Sequence, residues 1–328
     1  TLLTALLVFG MAFTSPAAEA FRVYAPSSTT QTLWIVDAVP RENGGLELKV
    51  AEKRDLGFNG RVIAAHPKEP LLYVSGGGAE RGKVPGAVVT LAQNGNYASH
   101  QPVDLNDDAA YLSLDRSGAF LFGVSYGNGR LNVYRLDEKG VPGKAVATVD
   151  VGKKEAHCVL VSPDNNYLYI PYVKGNLALL QYRFDASSGA VTPLNPLNAN
   201  PPPGTGPRHL VYHPTLPMVY FTNEQGIGLS TYERLSDGQL ALRQDISILP
   251  EGMSKDGLTA SDLEITPDGA YGVHVDSGIP AGTGPRIPAF AIEADTSMTM
   301  SQTTVAADWA APQRLSGVLT IGNEEPSG

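Results

Sequence analysis

The chain has 328 residues, a net charge of −9, 42% hydrophobic and 17% charged residues, 35 glycines, 25 prolines and one cysteine. The acidic balance, with no Lys/Arg-rich run, argues against a nucleic-acid partner, because phosphate backbones need a basic stripe. One cysteine excludes an intramolecular disulfide and a thiolate zinc site, and no P-loop, dinucleotide fingerprint or HExxH motif is present, so neither cofactor nor metal is expected.

The first twenty residues differ from the rest. Leu2 to Phe13 is nearly continuous apolar sequence, and Ala18-Glu19-Ala20 is a small-x-small cleavage signature. This reads as a signal peptide over 1–20 and predicts an exported protein, periplasmic or secreted, with one domain over 21–328. The apolar run is short for a bilayer, and no membrane span is expected in the mature chain.

From there a unit of about fifty residues recurs. His66-Pro67, Ser162-Pro163, His213-Pro214 and Thr266-Pro267 mark four copies, and Arg116 stands in the proline's place in another. The successive spacings are 49, 47, 51 and 53 residues. Each landmark precedes an apolar strand: Leu71–Ser75, Phe120–Ser125, Tyr167–Tyr172, Met218–Thr222 and Ala270–Val275. A glycine-containing turn and a second strand follow: Ala87–Leu91, Leu131–Leu136, Ala178–Phe184, Gly228–Tyr232 and Ile287–Ile292. Phe21–Tyr24 and Leu33–Asp37 read as middle strands of an earlier copy, and Pro312–Gly317 as the start of a further one. A period of this length, about four strands per copy, predicts an all-β propeller of six blades and an incomplete last one. Two β-sandwiches would leave the constant period unexplained. A monomer is expected.

Aligning the copies on the landmark compares blades position by position. Six residues before it stand Arg61, Ala110, His157, Arg208 and Ser261; ten after it stand Gly77, Tyr126, Val173, Glu224 and Ser277. The strands on either side of the landmark turn are antiparallel neighbours, so both columns are expected at one mouth of the channel. His157, Arg208 and Glu224 are the candidate catalytic set, with Tyr126 and Tyr172 beside them as substrate contacts. Arg208 suits an anion through a bidentate fork, or the oxyanion of an attacked carbonyl. His157 or Glu224 suits proton removal from water. The plainer readings are an Arg208–Glu224 structural ion pair and a hydrogen-bonded wall histidine. His209 and His213 read as packing and turn residues, Cys158 as buried and inert, and Asp262 with Glu264 as solvated strand charges.

Glu155–Asp164, Gly206–Pro214, Thr222-Asn223-Glu224 and Ala260–Gly269 resemble the lactonase family of seven-bladed propellers. The resemblance is to the bacterial 6-phosphogluconolactonase type, related to the carboxymuconate lactonizing enzyme. It implies lactone chemistry at the channel mouth and maps the family's histidine, arginine and glutamate onto His157, Arg208 and Glu224. It also implies an arginine in the sixth blade, where this chain has Asp276-Ser277-Gly278; Arg286, nine residues on, is the candidate substitute for substrate binding. Tyr111 replaces the family's third-blade histidine, and Tyr172 an aspartate in the fourth. The expected function is hydrolysis of a small-molecule sugar-acid lactone. The alternative is a non-catalytic exported propeller that binds a carbohydrate or protein.

Overall fold

The computed structural model describes residues 20–304 except 42–45, 79, 250–251, 253, 267, 270, 278–287 and 293–297, with backbone only at 46, 176, 271–277, 288–291 and 298–304. Arg286, the stretch 312–317 and the leader apart from Ala20 lie outside the described residues.

The described chain is almost entirely antiparallel sheet. Blade 1 holds β1 (Phe21–Pro26), β2 (Thr32–Pro40) and β3 (Leu46–Asp55). Blade 2 holds β4 (Gly60–Ala65), β5 (Leu71–Gly76), β6 (Val84–Leu91) and β7 (Tyr97–Leu105). Blade 3 holds β8 (Tyr111–Leu114), β9 (Phe120–Val124), β10 (Leu131–Leu136) and β11 (Pro142–Val149). Blade 4 holds β12 (Leu160–Val161), β13 (Tyr167–Tyr172), β14 (Ala178–Phe184) and β15 (Val191–Asn198). Blade 5 holds β16 (Pro207–Tyr212), β17 (Met218–Asn223), β18 (Gly228–Arg234) and β19 (Leu240–Ser247). Blade 6 holds β20 (Thr259–Ile265), β21 (Tyr271–Ser277), β22 (Pro288–Ile292) and β23 (Met298–Thr304). The ten strands expected around the five landmarks all occur, within a few residues of the expected bounds.

Each sheet is an up-and-down meander, and strands leading consecutive blades are neighbours: β1 beside β4, β4 beside β8, β8 beside β12 and β16 beside β20. The second strands β9, β13 and β17 are buried throughout, as an element covered on both faces must be. Five hydrophobic clusters lie at the five junctions between consecutive blades. Between blades 3 and 4, for example, Phe120, Phe122 and Val133 meet Leu168, Ile170 and Phe184. This is propeller packing: a blade buries its faces only against its neighbours.

Polar links cross the same junctions. Tyr24, Tyr73 and Tyr169 occupy one repeat position, and each hydroxyl donates to a glycine carbonyl in the outer turn of the next blade. The acceptors are Gly95 at 2.6 Å, Gly140 at 2.9 Å and Gly238 at 2.7 Å. His213 is a turn residue, as expected. Its Nδ1 accepts from the Thr215 and Leu216 backbone N–H, at 3.2 and 3.0 Å, so Nε2 carries the proton and donates to the Gly269 carbonyl at 3.2 Å. His66 does the same with Gly118.

Candidate active site

The leading strands of blades 2, 4, 5 and 6 each take one extra residue at one level. In blade 2 Gly60 pairs with Gly76 but Val62 with Ser75; in blade 5 Pro207 pairs with Asn223 but Leu210 with Phe221. Blade 6 repeats this between Ala260 and Asp262, and blade 4 between the Ala156–Tyr172 bridge and Leu160. The bulge falls at the column of Arg61, His157, Arg208 and Ser261. A bulge re-aims side chains and breaks strict alternation. Residues consecutive in sequence therefore reach one site.

Arg208, inside the register shift of β16 against β17, and Glu224, just past the end of β17, meet: Nε lies 2.9 Å from Oε2. Glu224 Oε1 accepts from Gln225 Nε2 at 2.7 Å, and Gln225 Oε1 accepts from the Lys174 backbone N–H at 2.9 Å, which ties the carboxylate to blade 4. Arg208 Nη1 donates to the Ser261 carbonyl at 2.5 Å and to Ser261 Oγ at 3.1 Å. The guanidinium is thus fixed on two sides, and Nη2 has no protein partner among the described residues. This corrects the bidentate clamp expected of Arg208, since Glu224 holds its Nε.

His157 joins this group through a residue that sequence reasoning set aside. His209 Nε2 lies 3.1 Å from His157 Nδ1 and 3.5 Å from Arg208 Nη1, and its Nδ1 lies 2.6 Å from Asp262 Oδ1. The expectation that His209 is a packing residue fails because the bulge turns it toward the same side as Arg208. Asp262 is likewise no bystander. With the Asp262 carboxylate accepting from Nδ1–H of His209, Nε2 of His209 accepts from Nδ1–H of His157, which leaves Nε2 of His157 as a lone pair. Burial, then the neighbouring Arg208 and His209, lower the His157 pKa to about 3, so its imidazole is neutral at ordinary pH. Burial pushes Asp262 up, but the hydrogen bond from His209 and the other interactions around it outweigh this and hold the carboxyl below its usual range. Glu264 is raised instead, by burial and by Asp262.

Aromatic rings frame the histidines. Tyr126 meets His157 edge-on at 5.9 Å between centroids, and Lys174 Nζ lies 5.4 Å from the Tyr126 ring centre. Tyr111 meets His209 edge-on at 5.4 Å between centroids. Cys158 is fully buried and burial pushes its thiol up to about 12, so it is inert, as expected. Tyr172 is a correction. It is 1% exposed, its hydroxyl donates to the Gly129 carbonyl at 2.8 Å, and it belongs to the core between blades 3 and 4 rather than to a substrate surface. A cavity of about 540 Å³ opens beside the cluster, lined by Arg61, Tyr111, Arg116, Leu160 and His209 among others. Its size suits a small ligand.

A model of the family described as "Lactonase, 7-bladed beta-propeller" matches residues 23–315. The chain belongs to this lactonase family. A 6-phosphogluconolactonase of Cronobacter sakazakii is 34% identical over 182 residues, 55% of this chain and 53% of that protein. A 6-phosphogluconolactonase of Enterobacter sp. (strain 638) is 33% identical over 205 residues, 62% of this chain and 58% of that protein. The matches thus span little more than half the length of these curated relatives. The solved structure of the periplasmic gluconolactonase PpgL of Pseudomonas aeruginosa shares the fold, with a TM-score of 0.70 at 20% identity over 86% of this chain and 82% of that one. The lactonase family has seven blades, and six sheets are present among the described residues.

Proposed function

We propose that this lactonase-family chain hydrolyses the ring ester of a sugar-acid lactone, with His157 as base and Arg208 as the donor to the developing oxyanion. The observation that carries this reading is the Asp262–His209–His157 hydrogen-bond chain, which leaves a neutral imidazole with a free Nε2 in a site shared with a fixed guanidinium. The names of the relatives, 6-phosphogluconolactonase and gluconolactonase, support the same substrate class.

Water enters beside Nε2 of His157 and attacks the ring carbonyl carbon. A C–O bond forms, the water proton passes to Nε2, and the carbonyl π pair moves to oxygen. Arg208 Nη2–H faces that oxygen, a contribution on the order of 10²–10³ in rate. Collapse breaks the ring C–O bond, and His157 returns its proton to the departing alkoxide. Its low pKa favours this second step and weakens the imidazole as a base in the first. Asp262 and His209 fix the tautomer and orientation of His157. Glu224, held on both oxygens, positions Arg208. Tyr126 offers a ring face beside His157 for the sugar. The apolar leader supports export.

The test is pH-stat titration of acid release from gluconolactone and its 6-phosphate by the parent, His157→Ala and Arg208→Ala. Each substitution is expected to lower kcat by about 10²-fold or more, with EDTA leaving the parent rate unchanged. A parent rate equal to spontaneous hydrolysis overturns the activity. Equal rates in parent and variants overturn the site. Sugar-acid binding without turnover returns the chain to the carbohydrate-binding alternative.

A further inference from the structure

Arg61 and Arg208 hold the same repeat position, on the same kind of bulge, in blades 2 and 5. Their surroundings differ in one respect. Opposite Arg208 stands Glu224; at the matching position opposite Arg61 stands Gly77, and a Cβ built there would lie 3.4 Å from Arg61 Cδ and 3.7 Å from Nη1. The guanidinium of Arg61 therefore lies over a residue with no side chain to pin it. Its side chain is 47% exposed, against 19% for Arg208. Its ion pair is with Asp108, in the segment between β7 and β8, Nη1 to Oδ2 at 2.9 Å, and it uses one corner of the fork. The Nε–Nη2 edge has no protein partner among the described residues. That edge offers two parallel N–H donors, the geometry that fits phosphate or carboxylate oxygens. Arg208, with Nε against Glu224, cannot offer it. Arg61, Tyr111 and His209 line the same cavity, and Tyr111 meets His209 edge-on.

Resting on the lactone reading, we propose that Arg61 is a specificity-determining residue. It binds an anionic group, phosphate or carboxylate, at the end of the substrate remote from the ring ester. Arg208 serves the reacting carbonyl and Arg61 the distal charge. Asp108 competes with the ligand for Arg61 and so sets how strongly an anion is held.

The experiment is titration calorimetry of the full chain with unreactive sugar acids. Gluconate has a neutral distal end, 6-phosphogluconate a distal phosphate and glucarate a distal carboxylate. The parent is expected to bind the two distal anions more tightly than gluconate, and their order tells phosphate from carboxylate. Arg61→Gln is expected to reduce that preference by about tenfold, the scale of a charged hydrogen bond in a half-exposed site. Asp108→Asn is expected to increase it. A purely structural pair would behave otherwise: both variants would lower the melting temperature and neither would move the preference. Absence of any preference in the parent, its survival in Arg61→Gln, or a fall in Asp108→Asn overturns the proposal. Binding is read without turnover, so a chain that fails to hydrolyse lactones but keeps these opposed shifts refutes the lactone reading and not the anion site.

Discussion

His157 and Arg208 belong to one hydrogen-bonded group, so a positive charge on the guanidinium opposes a proton on the imidazole. The burial of His157 is the largest cause of its low pKa, and Arg208 and His209 come next. Activity that depends on a neutral imidazole should stay level from pH 7 to about 4 and fall as the pH approaches 3. Removing a positive neighbour makes protonation easier, so in Arg208→Ala the acid limb of kcat/KM should move to higher pH as well as the rate dropping. His209→Gln tests the positioning role separately. It is expected to lower kcat by about 10- to 100-fold while changing KM little, and to shift the same limb upward, because His209 also depresses His157. A His209→Gln variant with the parent's pH profile would show that the ring only fills space.

At the scale of the strand, the bulge explains what sequence could and could not give. The strands around each landmark were legible because their apolar runs lie between glycine and proline punctuation, and the nearness of Arg208 to Glu224 followed from β16 and β17 being antiparallel neighbours. His209 and Asp262 were not legible, because period-two alternation places a residue and its successor on opposite faces. A signal did exist. The residue before the site column is small or proline and buried in five blades: Gly60, Ala109, Ala156, Pro207 and Ala260. Four of these five positions lie at the extra residue. Tyr172 was misplaced because its strand is buried on both faces, where a polar tip signals a hydrogen bond across a blade junction rather than a contact at the mouth. The tyrosine links allow a direct test of such junctions. Tyr169→Phe loses its bond to Gly238 and should cost about 1 kcal/mol in urea unfolding. Gly238→Ala should cost about 2 kcal/mol or more. Its φ is +87°, and the added Cβ would overlap the Tyr167 ring. Equal, negligible losses would show that blades 4 and 5 are held by their apolar cluster alone.

Across the molecule, the site is assembled from blades 3 to 6: Tyr126 from blade 3, His157 from blade 4, Arg208 and His209 from blade 5, and Asp262 from blade 6. The low pKa of His157 is therefore a property of the packed ring and is lost when the ring opens. In the unfolded chain an ordinary histidine takes a proton near pH 6.5. Between that value and about 3 the unfolded state binds a proton that the folded state refuses, so stability must fall as the pH drops through this window. Carboxylates also weaken an acidified fold, but in a lower range. Asp115, for instance, is pushed up by burial yet held below the usual carboxylate range by hydrogen bonds from Ser117, Asn165 and the Phe120 N–H, so its contribution is lost only nearer pH 4 and below. The interval from pH 6.5 to 5 thus isolates the histidine from such carboxylates. Replacing the ring by a side chain that does not titrate, His157→Gln, should flatten the stability profile there by on the order of 2 kcal/mol at pH 5, read from urea midpoints at constant m. Parallel profiles for parent and variant would mean that His157 titrates as freely in the folded ring as outside it, and a base kept neutral by its neighbours would have to be abandoned.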